Sequence, residues 1–314
     1  MLGTITAQLL PVFLILAIGT LLRYFSLITE QTIDGLKNII IKVSLPAVLY
    51  LAFATMTLNL DFIILGIIIF CLCIVLYGMG IVIAPWSGPY KDFLKFLSTG
   101  FEFGMLGAVF FGAAFGMKNM GYIAVIAIGH EIFIWFIYFT FIKNHNHTES
   151  SLKETAKGFL TSPVIIGILA GILMNITGIH SLSANNSIAK GIIKTMNYLT
   201  GLTVPLILIV IGYGLRVKLE NVKNALIFSV SRLCVVITIA VAIDIILFQG
   251  ILKLPKLYSA ALYMFMLLPP PFILPLFLNS GAKERDLINN TLIVYTVLSI
   301  CAFAVYYIIF TLTT

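Results

Sequence analysis

The chain reads as an all-α membrane protein of ten transmembrane helices, set in two inverted five-helix repeats with helices 4 and 9 broken and crossing. Three observations predict this. Of 314 residues, 61% are hydrophobic and only 10% charged, with mean hydropathy +1.11, too apolar for a soluble domain. Ten apolar stretches of roughly 17–25 residues follow one another, each long enough to cross a bilayer. Two of them are interrupted at matching places, one in each half.

The predicted spans run over 5–22, 36–58, 61–84, 94–117, 120–142, 162–178, 192–215, 225–248, 256–279 and 289–312. The first lacks a basic segment ahead of its apolar run, so it is expected to be a helix rather than a cleaved signal. The only long polar connection is Lys143–Lys157, near the middle of the chain. It divides the chain into a first repeat (1–142), a cytoplasmic linker (143–161) and a second repeat (162–314). Five crossings end on the opposite side, so a second five-helix unit enters upside down. Traces of repetition support this. Pro11 and Pro163 begin the first helix of each half, Pro46 and Pro205 fall in the second, and Leu60-Asp61 matches Leu219-Glu220 at the same offset of 159 residues as that proline pair.

Charge gives the orientation. The loops joining spans 1–2, 3–4, 5–6, 7–8 and 9–10 hold 13 Lys and Arg, the opposite loops five. Positive loops stay in the cytoplasm, so both termini are expected outside the plasma membrane. The net charge of +7 is therefore a topology signal and not a nucleic-acid footprint. Cys71, Cys73, Cys234 and Cys301 lie in apolar runs without metal-ligand spacing and read as small buried hydrophobes. No His-Glu-x-x-His pair and no ATP-binding loop is present, and His145-x-His147 falls in a solvated loop. Neither an enzyme nor a resident metal or cofactor is expected.

The interruptions carry the chemistry. The fourth span contains Ser98-Thr-Gly-Phe-Glu-Phe-Gly104, with glycines on either side of Glu102; the ninth contains Leu268-Pro269-Pro270-Pro271. Three prolines supply no N–H, so carbonyls one turn earlier lose their partners. Such backbone is tolerated at membrane depth only beside a cavity or protein donors. Paired breaks in two halves mark a transporter site. The two are expected to cross near the midplane, with Gly112 and Gly116 serving helix packing. Glu102 lies about eight residues into its span, roughly 12 Å deep, where a charged carboxylate is costly; that suits a proton-carrying or solute-contacting role. His130 and Glu131 sit mid-span in helix 5, where adjacency predicts that one of them faces the cavity. Arg232 is expected to snorkel to the surface, Asp244 to be solvated near the outer end, and Asn175 likewise.

Leu10-Pro-Val-Phe-Leu-Ile-Leu-Ala-Ile-Gly-Thr-Leu-Leu-Arg23, Asn38-Ile-Ile-Ile-Lys-Val-Ser-Leu-Pro-Ala-Val-Leu49, Glu102-Phe-Gly-Met-Leu-Gly107 and Pro269-Pro270 together resemble the auxin efflux carrier family, which includes bacterial malonate-type permeases. The resemblance covers essentially the whole chain. It implies a scaffold of helices 1, 2, 6 and 7 that forms a homodimer, and a moving domain of helices 3–5 and 8–10. It also implies elevator-type transport of a small organic anion; from the residues themselves, H+ carried by Glu102 is the expected coupling ion, with Na+ the alternative. The expected solute or ion site comprises Phe101, Glu102, Phe103, Gly104, His130, Glu131, Leu268, Pro269, Pro270 and Pro271. The family usually has an uncharged polar residue where Glu102 stands, and an amide is common in the region of His130-Glu131. Two alternatives accompany this reading. One is a sodium-coupled carrier of bile-acid-transporter type, the other a ligand-sensing receptor on the same bundle, against which the lack of an appended soluble domain counts.

Overall fold

The computed structural model describes residues 2–55, 61–146, 152–178, 187–214, 222–272, 274–278 and 281–313. The described residues are helical, joined by short turns, with no strand among them. In chain order we name α1 (Leu2–Tyr24), α2 (Glu30–Thr55), α3 (Asp61–Ile83), α4 (Leu94–Ser98) and α5 (Ala108–Phe115, entered through a π turn at Phe103–Gly107). Then come α6 (Met117–His145), α7 (Leu152–Leu160), α8 (Pro163–Thr177), α9 (Ser187–Gly214) and α10 (Val222–Ile251). The chain finishes with α11 (Lys256–Met266), α12 (Leu274–Phe277) and α13 (Ala282–Thr313).

Among the described residues six helices are long and apolar enough to cross a membrane: α2, α3, α6, α9, α10 and α13. Two apolar helices are shorter, within Leu10–Tyr24 and over Pro163–Thr177. The other two apolar stretches are the interrupted ones. The bundle's outer surface carries isoleucines, leucines and valines such as Leu14, Ile67 and Ile176, which water would penalise and lipid does not. This is a membrane protein.

The helices gather in two sets. In one, α1 lies along α9 and α2 along α8, with α9 also against α2; in the other, α3 packs on α4 and α6, α10 on α13, and α11 on α6. The α1–α9 contact depends on two glycines. A Cβ on Gly19 would strike the Ile209 carbonyl and one on Gly212 the Leu16 carbonyl, so only hydrogen at both positions lets the backbones meet. Thr20 Oγ1 then reaches Gly212 O at 3.0 Å and Arg23 reaches Tyr213 O at 2.6 Å, tying the cytoplasm-facing end of the predicted topology.

Several local expectations change. Pro11 lies inside α1 rather than at its start, whereas Pro163 is at the first turn of α8, where its missing N–H costs nothing. Helix α2 begins at Glu30, capped by Thr29 Oγ1, so Lys37 and Lys42 stand on helix rather than loop. The stretch read as a polar linker contains α7, whose apolar residues recur at helical spacing and rest Phe159 on Phe136, ring centroids 5.3 Å apart. His145 ends α6 against Phe96 and is not in a loop; His147 lies outside the described residues. Gly116 has φ +82° and nothing near its missing Cβ, so it ends α5 instead of packing a helix. Only Cys73 is buried; Cys71, Cys234 and Cys301 are on the outer surface, which apolar thiols tolerate in lipid. Leu60, Leu219 and Glu220, the third repeat trace, lie outside the described residues.

Candidate functional site

Helix α4 stops after Ser98 because Thr99 turns extended (φ −117°, ψ 170°) and Gly100 enters the left-handed region at φ +72°. Glycine is needed there twice over, since a Cβ would also come within 2.8 Å of Pro271 Cγ. Helix α11 stops at Met266, before the three prolines. The two interruptions lie against one another and share their hydrogen bonds.

A full account of freed backbone groups is required where water is scarce, and the structure supplies most of it. The Glu102 N–H donates to Pro269 O at 2.8 Å, and the Phe272 N–H donates to Glu102 Oε2 at 2.8 Å. Glu102 thus binds the second interruption with both its backbone and its side chain. The Phe101 N–H donates to His130 Nε2 at 2.9 Å. That nitrogen must hold a lone pair to accept. Tyr138 OH serves Phe96 O at 3.1 Å and Ser299 Oγ serves Leu267 O at 2.6 Å.

Arg232 is the group the sequence reading misplaced. It is 5% exposed, far from snorkelling. Its Nε donates to Ser98 O at 3.2 Å, Nη1 to Leu268 O at 3.1 Å and Nη2 to Gly100 O at 2.7 Å. One guanidinium therefore satisfies carbonyls from both interruptions. It lies over the rings of both Phe101 and Tyr295, each ring centroid 4.9 Å from Cζ, a favourable cation–π arrangement when desolvated. A planar cation with donors fanned in fixed directions suits this task as an ammonium does not.

Beside the joined interruptions opens a cavity of about 870 Å³. Phe101, Glu102, Phe103, Gly104, His130, Glu131 and Pro271 line it. Leu268, Pro269 and Pro270 are buried behind it and do not. Both His130 and Glu131 reach the wall, although one alone was expected. Neighbouring helix positions are about 100° apart, and the cavity wraps that much of α6. His130 Nδ1 stands 3.3 Å from Glu131 Oε1 without forming a hydrogen bond. The cavity mouth includes Glu30 and Asp34 of α2, Ser162 before α8, and Asp286 and Asn289 of α13. These polar mouth residues escaped sequence reading because each lies near an ordinary helix end.

Two other intramembrane polar groups are occupied structurally. Asp244 accepts from Ser259 Oγ at 2.5 Å and Tyr263 OH at 3.3 Å, and is not simply solvated. Asn175 Nδ2 donates to Phe53 O at 2.8 Å, pinning α8 to α2. Among the described residues no group of three or more His, Cys, Asp or Glu is placed to hold a metal ion.

No family model matches the chain. It is 27% identical over 225 residues to an uncharacterized transporter of Methanocaldococcus jannaschii, the match covering 67% of this chain and 68% of that protein. Together with the apolar helices, this similarity supports a membrane transporter.

Proposed function

We propose that the chain is a secondary active transporter of a small organic solute, of the auxin efflux carrier type, working by elevator-type alternating access. The observation that carries this reading is the union of two interrupted helices at the edge of a large cavity, with Glu102 bonded across both. Intact helices would leave no freed mid-helix backbone groups for a half-buried carboxylate to bind. In this reading the ten spans form two inverted repeats. The set α1, α2, α8 and α9 is the scaffold, through which two copies form a homodimer. The set α3–α6 with α10–α13 moves, carrying the joined interruptions with it. The cavity mouth is framed by ends belonging to the Lys- and Arg-rich side, so in a plasma membrane with both termini outside this conformer is open inward.

Glu102 is proposed as the proton carrier. It touches the solute space and grips the second interruption, so protonation alters both at once. Sodium coupling is the weaker reading, because the carbonyls released by the interruptions, which would suit an alkali ion, already bind the Arg232 guanidinium. No observation favours a receptor.

The test is uptake into proteoliposomes of mono- and dicarboxylates, amino acids, amines and neutral solutes under imposed pH or sodium gradients. Protein-dependent, pH-gradient-driven uptake of one class is expected. Absence of protein-dependent flux for every class, in vesicles holding folded protein, would overturn the proposal.

A further inference from the structure

Helix α6 is held tightly on one side of His130 and distorted on the other. At Gly129 it lies so close to α3 that a Cβ would strike the Gly66 carbonyl. Beyond Glu131 it widens into a π turn over Ile134–Tyr138, a distortion that often marks functional sites. Between these features His130 and Glu131 both reach the cavity wall.

His130 ends a chain of hydrogen bonds that all run the same way. Arg232 Nη2 donates to Gly100 O at 2.7 Å, and the N–H of that same peptide unit, on Phe101, donates to His130 Nε2 at 2.9 Å. With Nε2 accepting, the donor of the ring is Nδ1. Bonds aligned in series polarise one another, so the cation at the head of the chain strengthens the donor at its foot. That donor has no hydrogen-bond partner, although His130 is only 2% exposed and buried polar atoms are normally satisfied. Glu131 Oε1 stands 3.3 Å away without bonding it. Adjacent residues of one helix do not face each other, so Glu131 covers this donor but is poorly placed to use it. A carboxylate that is not tethered to α6 can approach in line.

The surrounding charges favour such a visitor. Among the described residues no carboxylate pairs with the Arg232 guanidinium, and Phe101, whose ring centroid is 4.9 Å from Cζ, forms the cavity wall in front of it. Of the other acids in the lining, Glu102 bonds the Phe272 N–H, Asp34 pairs with Lys37, and Glu30 and Asp286 stand at the mouth.

We infer that His130 Nδ1–H receives a carboxylate oxygen of the solute, and that Glu131 is the protein's own stand-in, turning aside when the solute arrives. Binding is then an exchange of one carboxylate for another at a single polarised donor, and Glu131 opposes the solute instead of holding it. The inference deepens the carrier reading and rests on it.

The experiment measures binding of malonate, succinate and 3-phenylpropionate to the purified full chain in detergent by calorimetry. At least one should bind. His130→Nδ1-methylhistidine keeps the Nε2 acceptor for Phe101 and deletes the donor, so binding should weaken at least about tenfold, roughly 1.4 kcal/mol, with a wild-type unfolding profile. Glu131→Gln should act in the opposite sense and tighten binding by about fivefold, the scale of repulsion between two unit charges near 4 Å in water. Damage to the fold weakens binding at either position, so opposite signs at adjacent residues separate exchange from a structural role. If the methylated ring alters unfolding, the sign at Glu131 decides alone. No carboxylate binding to wild type or to Glu131→Gln, affinity unchanged by the methylated ring, or affinity unchanged or weaker in Glu131→Gln overturns the inference. The uptake assay separates this from the carrier reading. Protein-dependent carboxylate uptake indifferent to both changes leaves the carrier standing and removes the exchange. Binding that shifts with both signs as stated, without protein-dependent flux of any solute, does the reverse.

Discussion

Replacing Arg232 with methionine keeps a long apolar stem and deletes the guanidinium that joins the two interruptions. Ser98 O, Leu268 O and Gly100 O then lose donors at 3.2, 3.1 and 2.7 Å. A buried polar group left unsatisfied costs about 1–3 kcal/mol, so three of them set a range of roughly 3–9 kcal/mol. Water admitted from the nearby cavity can serve part of that need, which places the expected loss at the lower end, about 3 kcal/mol. That is on the order of a hundredfold in the folded-to-unfolded ratio. The assay is reversible unfolding in mixed micelles titrated with SDS. Arg232→Lys should fall between wild type and methionine, because an ammonium keeps the charge but loses the fixed fan of donors. A methionine variant within about 0.5 kcal/mol of wild type, the usual range for uneventful surface changes, would refute the reasoning. So would a lysine variant no better than methionine.

Three further outcomes are expected. Glu102→Gln can still accept the Phe272 N–H through its amide oxygen, so folding should survive while uptake loses its dependence on an imposed pH gradient; retained proton coupling would remove Glu102 from that role. Gly100→Ala should cost at least roughly 1–2 kcal/mol for its left-handed backbone, with a further clash at 2.8 Å from Pro271, whereas Gly104→Ala, whose nearest neighbour is 3.7 Å away, should be close to neutral. Equal effects in the same SDS titration would contradict the geometry. His130→Phe should lose about 1–3 kcal/mol by stranding the Phe101 N–H, and His130→Gln, which offers an acceptor, should recover part of it.

The interruptions were legible because their causes are local. Pro269, Pro270 and Pro271 cannot donate, and Gly100 permits a φ that other residues resist. The apolar spans were legible for the same reason, since hydropathy needs no neighbour. What completes the site was not. Arg232 is more than a hundred residues from Ser98 and Gly100, and nothing in its own segment distinguishes a buried bridge from a snorkelling side chain. Only the need of freed carbonyls for a donor hinted at such a partner. The mouth carboxylates Glu30, Asp34 and Asp286 were similarly invisible, because surface acids near helix starts are ordinary. Helix α7 was hidden inside a stretch whose charge outweighed its spaced apolar residues.

Proximity of positions 102 and 272 is the most direct measurement of the central arrangement. In a protein with Cys71, Cys73, Cys234 and Cys301 replaced by alanine, Glu102→Cys and Phe272→Cys together should be bridged by a short thiol cross-linker, since the Glu102 side chain reaches the Phe272 backbone N–H at 2.8 Å and both residues line the cavity. Both single thiols should also react with a membrane-impermeant maleimide added from the Lys- and Arg-rich side. Failure to bridge, in protein that unfolds like wild type, would contradict the account.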